Sequence, residues 1–433
     1  MDFLRVYEEK KRTPEEIIDQ VQPGWSCCAD ISGATPPILD AALGKRAAVG
    51  KIRDVTFHTW LDIVPLGTLA PEAFPNIRTV TWFSGGGLRK AVNEGRADIM
   101  PCYYRDAPGL FDRYIDIDAY FAQVSPMDKH GYFSVSLSGS CSEVMIRKAK
   151  HIYLEVNDKM PRALTAPLIH ISQVDALCET SCSLPIMPPV KIDDISRKIG
   201  GYIAEEIPDG ATLQLGIGAV LEAVGLALKD KHDLGLHTEL FTDSMVELLE
   251  CGAVTNMKKP INRGKTVTTL TFGSQHIYDY LDDNPAFLMM PVDYVNNPAV
   301  IAQHPNFISV NAAVEVDFFG QVCSESAGMR HISGTGGQAD YVRGAVMSKG
   351  GKSFIAFPST AKGGTISKIV PTLTPGAIVT TSKNDVDYIV TEYGVAKLRG
   401  KTLSQRAKEL IKIAHPKFRE ELTFAAKKMN ILI

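Results

Sequence analysis

Short apolar runs alternate with helical stretches through the middle of the chain, and this alternation restricts the fold more than any other feature of the sequence. Residues 211–215, 235–240 and 266–272 form strand-like runs, whereas 220–228 and 243–250 carry apolar residues at helical spacing. Parallel strands require such crossover helices, and strands covered on both faces are apolar throughout. The pattern therefore predicts an α/β fold, with a mostly parallel or mixed sheet covered by helices.

A similar alternation is predicted in the amino-terminal half, with strands near 97–103 and 151–156. The two halves meet at Cys182-Ser-Leu-Pro-Ile-Met-Pro-Pro-Val, where three prolines interrupt any helix or central strand. A length of 433 residues is enough for two such domains, each with its own core. We therefore expect two α/β domains, at residues 1–185 and 190–433.

The composition is that of an ordinary globular enzyme, with 45% hydrophobic and 22% charged residues. A net charge of -3 without a long basic run does not favour nucleic acid or an anionic membrane as a partner. No secretory signal or membrane span is predicted. The eight cysteines lack the paired spacing of a zinc site, so we expect no metal and reduced thiols in a cytoplasmic protein.

Glu239 is the candidate that carries the chemistry. It ends the apolar run that begins at Gly235, close downstream of the turn Leu215-Gly-Ile-Gly-Ala-Val. A glycine turn between a strand and a helix can direct backbone N–H groups at an anion. The alternatives are a surface glutamate that opens the next helix and a turn with no ligand. Leu221 replaces the third glycine of a dinucleotide-binding fingerprint, so a nicotinamide cofactor is not predicted.

Two further glycine-rich segments are candidates for ligand binding. Ser333-Gly-Thr-Gly-Gly precedes an apolar helix at 341–347, and its glycines let the backbone approach a ligand without a clash from Cβ. Lys362 lies in Pro358-Ser-Thr-Ala-Lys-Gly-Gly, where a lysine is either a solvated loop residue or a cation for a phosphate group. For both segments, the alternative is a purely structural role.

These motifs belong to an ordered set through which the chain resembles the acetyl-CoA hydrolase/transferase family, and within it the 4-hydroxybutyrate and butyryl-CoA:acetate CoA-transferases. The resemblance covers nearly the whole chain. The matching segments begin at Val124, Glu155, Leu213, His237, Pro291, Gly320, Ile332 and Asp387.

The resemblance implies a role for each candidate residue. Glu239 is expected to be the catalytic nucleophile. The residues expected to contact coenzyme A are Gly216, Ile217, Gly218, Ala219, Val220, Val314, Gly336, Gly337 and Lys362. Glu315 stands where the family often has glutamine. His237 is expected either to orient Glu239 or to pack in the core. The spacing of Glu325 and Glu392 allows catalytic carboxylates, whereas the resemblance implies structural roles for both. Ser84-Gly-Gly-Gly is expected to shape an acid-binding face of the first domain.

The resemblance further implies a CoA-transferase that moves coenzyme A from an acyl-CoA to a short-chain carboxylate through a glutamyl-CoA thioester. Coenzyme A is then a substrate, and no permanently bound cofactor is expected. The implied state is a homodimer or higher homo-oligomer. Two alternatives are kept: an acyl-CoA hydrolase, in which water is the acceptor, and a non-catalytic binding protein, which an intact Glu239 disfavours.

Overall fold

A computed structural model of the chain describes residues 2–432. The chain divides into two units, Met1–Met187 with Val267–Val295 (unit 1) and Pro188–Thr266 with Asn296–Ile433 (unit 2). The division falls within the proline-rich segment, where residues 181–193 form no helix or strand. The predicted domains of 1–185 and 190–433 are continuous, whereas unit 1 also includes a segment from the carboxy-terminal half.

The helices of unit 1 are short and flank its strands. The α-helices are α1 (Phe3–Lys10), α2 (Pro14–Ile18), α3 (Pro37–Ala48), α4 (Gly86–Asn93), α5 (Ala107–Tyr114) and α6 (Ser142–Lys148), and the segment 267–295 adds Gln275–Leu281 and Val292–Val295. Short 3₁₀ helices lie at Ser32–Ala34, Gly67–Leu69, Pro71–Ala73, Tyr104–Asp106 and Ile171–Gln173.

Seven parallel strands form the main sheet of unit 1. The strands of this unit are β1 (Ser26–Ala29), β2 (Val55–Thr59), β3 (Ile77–Thr81), β4 (Ala97–Ile99), β5 (Ala119–Val124), β6 (Tyr132–Ser134), β7 (His151–Asn157), β8 (Leu168–His170) and β9 (Ala176–Thr180). The sheet order is β4-β3-β2-β1-β5-β7-β9, and all six pairs of neighbouring strands are parallel, whereas β6 and β8 pair separately. Its core includes Val55, Phe57, Phe121 and Tyr153, all buried.

Unit 2 repeats the alternation of strands and helices that the sequence predicts. Its α-helices are α7 (Asp194–Glu205), α8 (Ala219–Ala227), α9 (Asp243–Glu250), α12 (Pro298–Ile301), α13 (Gln338–Met347), α14 (Leu403–Ile413) and α15 (Pro416–Lys428). The labels α10 and α11 denote the unit 1 helices Gln275–Leu281 and Val292–Val295. Its main strands are β10 (Thr212–Leu215), β11 (Gly235–Phe241), β14 (Phe307–Ala312), β19 (Lys352–Ala356), β23 (Tyr388–Thr391) and β24 (Gly394–Lys397). Two further strands, β12 (Thr266–Thr271) and β13 (Phe287–Met289), belong to the unit 1 segment 267–295, apart from Thr266.

The remaining strands are short and lie between β14 and β23 in the sequence. They are β15 (Glu315–Asp317), β16 (Val322–Cys323), β17 (Ser326–Ala327), β18 (Arg330–His331), β20 (Thr360–Ala361), β21 (Ile366–Ser367) and β22 (Ile369–Val370). They form small sheets and hairpins that follow the ends of the main strands.

The main strands of unit 2 run in the order β11-β10-β14-β19-β23-β24. All neighbours are parallel except the last pair, β23 and β24. β10 and β14 are buried along most of their length, as expected for strands covered on both faces. The predicted α/β class, with mostly parallel or mixed sheets covered by helices, is confirmed. No helix within residues 2–432 combines the length and apolarity that a membrane span requires.

Candidate active site

The glycine-rich turn of unit 2 follows β10, the strand at which the order of strands in the sheet reverses. From β10 the chain proceeds to β11 on one side, whereas β14 lies on the other side of β10. The loops that leave the carboxyl ends of β10 and β14 therefore diverge, and ligands of open α/β sheets bind at such points. Gly216, after β10, donates its amide to the Val310 carbonyl at 3.0 Å, which holds the two strand ends together.

Glu239 lies inside β11, beside β10, and not at the start of α9, which begins at Asp243. Its side chain is half-buried, and the Asn296 Nδ2 donates a hydrogen bond of 2.6 Å to its Oε2. Burial raises the pKa of the Glu239 carboxyl from 4.5 to about 7, and the hydrogen bond from Asn296 partly opposes this rise. A carboxyl group with this pKa is partly ionised at neutral pH, as a nucleophile requires.

Gly337 leaves the space that the Glu239 carboxyl occupies. A Cβ at position 337 would overlap both the Glu239 Oε2 and the Asn296 Nδ2, and it would lie 3.1 Å from the Glu239 Cδ. The φ of Gly337 is -97°, which any residue adopts, so glycine is required here by space. The preceding Gly336 has φ +59°, a left-handed conformation that favours glycine. The structure thus brings Glu239 and the predicted ligand residue Gly337 together with Asn296.

The predicted coenzyme A loop, residues 216–220, connects β10 to α8. Gly218 precedes the helix with φ +118°, a conformation open essentially only to glycine. The first backbone N–H groups of α8 have no partner within the helix, so they suit an anion or a carbonyl oxygen. A Cβ at Gly218 would meet no atom within 4 Å, so backbone conformation and not crowding demands glycine at this position.

Val314 and Lys362 lie in segments that follow neighbouring strands. Val314 comes just after β14, is half-buried, and donates its amide to the Cys323 carbonyl at 2.8 Å. Lys362 lies at the turn of the hairpin formed by β20 and β21, with an exposed side chain and φ +48°. Both therefore belong to the carboxyl edge of the sheet, although they occupy segments separate from the contact of Glu239 with Gly337.

The other acidic candidates hold loops of unit 2. Glu392 accepts hydrogen bonds from the amide and the hydroxyl of Ser359, at 2.8 and 2.5 Å. Glu315 accepts from the amide and the hydroxyl of Thr374, at 2.7 and 2.8 Å, which gives this residue a structural role. Burial raises the pKa of Glu325, whose Oε2 accepts from the Thr335 hydroxyl at 3.3 Å.

His237 packs in the core and lies two residues before Glu239 on β11. It is fully buried, and its ring centre lies 5.1 Å from that of His304 and 6.2 Å from that of Phe307. Burial, and secondarily the charge of Lys259, lower the pKa of His304 from 6.5 to about 3. Of the two predicted roles for His237, this packing supports the core position.

The Ser84-Gly-Gly-Gly segment of unit 1 opens α4. The Asp62 Oδ2 accepts hydrogen bonds from the amides of Gly87 and Leu88, at 2.6 and 3.1 Å. A residue of unit 1 itself therefore caps the helix that this glycine segment begins.

Two family models match the chain over most of its length. The amino-terminal domain of acetyl-CoA hydrolase/transferase matches residues 1–188, and the carboxy-terminal domain of the same family matches residues 273–426. The chain belongs to the acetyl-CoA hydrolase/transferase family. It is an enzyme of the CoA-transferase class.

Curated relatives and a solved structure align with nearly all of the chain. The chain is 46% identical to a succinyl-CoA:cyclohexane-1-carboxylate CoA transferase of Geobacter metallireducens, over 99% of this chain and 97% of that protein. It is 43% identical to a 4-hydroxybutyrate coenzyme A transferase of Clostridium kluyveri, over 99% and 100%. The crystal structure of RipA from Yersinia pestis aligns with a TM-score of 0.95 at 40% identity and covers 100% of both chains.

Asn296 is the residue of this candidate site that the sequence analysis missed. It lies 57 residues after Glu239, in the segment Pro291-Val-Asp-Tyr-Val-Asn-Asn-Pro, and it is fully buried. A buried amide requires a polar partner. The available signal for Asn296 was therefore a polar residue in a segment with apolar valines before it and a helix-starting proline after it. No cluster of three or more metal-binding side chains occurs in the part of the chain that the structure describes.

Proposed function

We propose that the protein transfers coenzyme A from an acyl-CoA, of the acetyl-CoA or butyryl-CoA type, to a short-chain carboxylate such as 4-hydroxybutyrate, butyrate or acetate. A glutamyl-CoA thioester at Glu239 is the intermediate. The observation that carries this proposal is the Glu239 carboxyl, which accepts a hydrogen bond from Asn296 and faces the backbone of Gly337 with no side chain between them. The activities named for the relatives support the same reaction class.

In the first half-reaction, a Glu239 carboxylate oxygen attacks the carbonyl carbon of the acyl-CoA thioester. The carbon–sulfur bond breaks, which gives an acyl-glutamyl anhydride and free coenzyme A thiolate. The thiolate then attacks the glutamyl carbonyl carbon of the anhydride and displaces the first acid as a carboxylate. Each step forms one bond and breaks one bond, and no proton, metal or nucleotide is consumed.

In the second half-reaction, the acceptor carboxylate attacks the glutamyl-CoA thioester, and the same two steps run in reverse. Negative charge develops on the glutamyl carbonyl oxygen each time that its carbon is attacked. The Asn296 Nδ2, at 2.6 Å from Oε2, is a fixed donor for that charge. The turn 216–220, Val314 and Lys362 are proposed to hold coenzyme A during the exchange.

Acyl-CoA hydrolysis would use the same nucleophile, because water can replace the acceptor acid at either acyl intermediate. Transfer and hydrolysis therefore differ in the dependence on an added acid. Consumption of acyl-CoA at full rate without any acid would support the hydrolase alternative, whereas a rate that depends on the acid supports the transferase.

The test combines steady-state kinetics with detection of the intermediate. With butyryl-CoA varied against acetate, 4-hydroxybutyrate or cyclohexane-1-carboxylate, we expect parallel double-reciprocal plots, since the first acid leaves before the second binds. Incubation with acyl-CoA alone should give a coenzyme A adduct on the peptide that contains Glu239, detected by mass spectrometry. Glu239→Gln should lose the adduct and reduce kcat by about 10⁴-fold or more. Intersecting plots without an adduct would contradict the covalent route.

A further inference from the structure

Lys368 places an ammonium group at the carboxyl edge of the unit 2 sheet. Its side chain is half-buried, and its Nζ donates a hydrogen bond of 2.8 Å to the Ala313 carbonyl. The same Nζ lies 4.8 Å from the centre of the Phe357 ring. Ala313 follows β14 and Phe357 follows β19, so this ammonium lies between the ends of two neighbouring parallel strands.

No acidic side chain among residues 2–432 forms an ion pair with Lys368 within 4.0 Å. The charge of Glu392 raises the pKa of Lys368 from a longer distance, and both Glu392 carboxylate oxygens already accept hydrogen bonds from Ser359. Burial lowers the pKa of the Lys368 ammonium from 10.5 to about 8, which leaves it mostly charged at neutral pH. An ammonium has three N–H donors, and buried charges are ordinarily paired. The described chain supplies one hydrogen bond and one ring contact, so donors and charge remain for a ligand.

The position of this ammonium indicates which ligand it meets. Ala313 directly precedes Val314, and Ser359 opens the segment that leads to Lys362. Lys368 thus lies between the two segments proposed above to contact coenzyme A. The exposed Lys362 suits a hydrated phosphate group, whereas a half-buried ammonium beside a strand end suits a less hydrated acceptor.

We propose that Lys368 is a further coenzyme A-binding residue, whose ammonium donates a hydrogen bond to an amide carbonyl oxygen of the pantetheine arm. This inference rests on the proposed function, because it requires coenzyme A to pass along the edge formed by Val314 and Ser359. A competing role is that of a brace, in which Lys368 only ties the end of β14 to that of β19. The two roles differ in their effect on ligand affinity at unchanged stability.

The test measures binding by isothermal titration calorimetry with two probes, coenzyme A and adenosine 3′,5′-bisphosphate, which lacks the pantetheine arm. Lys368→Met keeps the apolar stem and removes the donors, so its affinity for coenzyme A should fall about 10-fold. Its affinity for the bisphosphate should stay unchanged. Lys368→Arg should recover part of the loss, and Lys427→Met, on the exposed face of α15, should bind both probes as the parent protein does.

Three results would overturn the inference, and they are separable from failure of the proposed function. Coenzyme A affinity of Lys368→Met within twofold of the parent value would show that the ammonium does not contact the ligand. An equal loss for the bisphosphate would assign Lys368 to the nucleotide half. A loss of affinity that accompanies a large fall in thermal midpoint, without recovery in Lys368→Arg, would indicate the brace. A parent protein that does not bind coenzyme A would contradict the proposed function itself.

Discussion

The Glu239 carboxyl group meets two opposing demands. Burial favours its neutral form, whereas the proposed attack on a thioester requires the carboxylate. The hydrogen bond from Asn296 favours the ionised form and partly offsets burial, and the result is a pKa of about 7. A carboxylate with this pKa is a stronger nucleophile than an exposed one, because its basicity is higher, yet a large fraction remains ionised at neutral pH.

The first prediction concerns the pH dependence of the reaction. The kcat/KM for acyl-CoA should rise with pH through about 7, because this parameter follows ionisation of the free enzyme and the carboxylate is the active form. Burial also lowers the pKa of Lys259 to about 7, so a variant is needed to show that the midpoint reports Glu239. Asn296→Ala should move the midpoint upward, since a donor to the carboxylate is lost. A parent midpoint near the ordinary value of a glutamate would contradict the assignment.

The second prediction concerns stability. The folded-state pKa of Glu239 is raised, so unfolding releases a proton between about pH 4.5 and 7, and this group lowers the stability of the folded state as pH rises through that window. Above pH 7 the cost is on the order of 3 kcal/mol. Glu239→Gln removes it and should be more stable than the parent protein at pH 8, with a smaller difference at pH 5. Chemical denaturation at both pH values measures this, and an equal difference would contradict the raised pKa.

The third prediction tests the space at Gly337. Gly337→Ala introduces a Cβ that overlaps the Glu239 Oε2 and the Asn296 Nδ2, so the carboxyl must shift from its donor. A misplacement of about 1 Å can cost about 100-fold in rate, so we expect kcat to fall by at least that factor. Gly201→Ala is the control, because its Cβ meets nothing within 4 Å and it lies within α7. Equal activities of the two variants would show that this contact does not position the nucleophile.

The fourth prediction, at the scale of elements, concerns the turn between β10 and α8, whose geometry depends on backbone conformation. Gly218→Ala places a side chain at φ +118°, which costs about 1–3 kcal/mol and should displace the first turn of α8. We expect lower thermal stability and a higher KM for acyl-CoA. Gly216→Ala, in the same turn, adds a Cβ whose nearest atom is the Val310 oxygen at 3.5 Å, and its stability should change little. Equal stability of the two variants would contradict the conformational argument.

The elements around this turn follow local patterns, and for that reason the sequence predicts them well. The predicted strands at 211–215 and 235–240 and helices at 220–228 and 243–250 agree with the structure to within one residue at each end. Periodicity reports which face is buried, and that information is local. The partners of Glu239 are not local, because Asn296 reaches it only through the packing of strands and loops. The same limit hid Lys368, whose contacts come from the ends of two other strands.

At the scale of the whole molecule, the units do not follow the order of the chain. Val267–Val295 belongs to unit 1 although it comes after the unit 2 strands β10 and β11 in the sequence. Its backbone is tied within that unit: the Gly139 amide donates to the Thr269 carbonyl at 2.8 Å, and the Val292 amide donates to the Ser140 carbonyl at 3.1 Å. A continuous boundary near 185–190 would instead make each half of the chain independent.

The fifth prediction separates these two organisations. A fragment of residues 1–187 lacks the backbone partners of Gly139 and Ser140, and unmade hydrogen bonds at buried positions cost about 1–3 kcal/mol each, a large share of a typical stability of about 5–15 kcal/mol. We expect this fragment to lose cooperative thermal unfolding and to be degraded rapidly in limited proteolysis. The matched control joins residues 1–187 to 267–295 through a flexible Gly-Ser linker, which is feasible because the Met187 amide donates to the Gly273 carbonyl at 3.0 Å. This joined fragment should be the more resistant of the two. Cooperative unfolding of residues 1–187 alone, at the same midpoint as the joined fragment, would show that the first domain is continuous and that the returning segment contributes nothing to its stability.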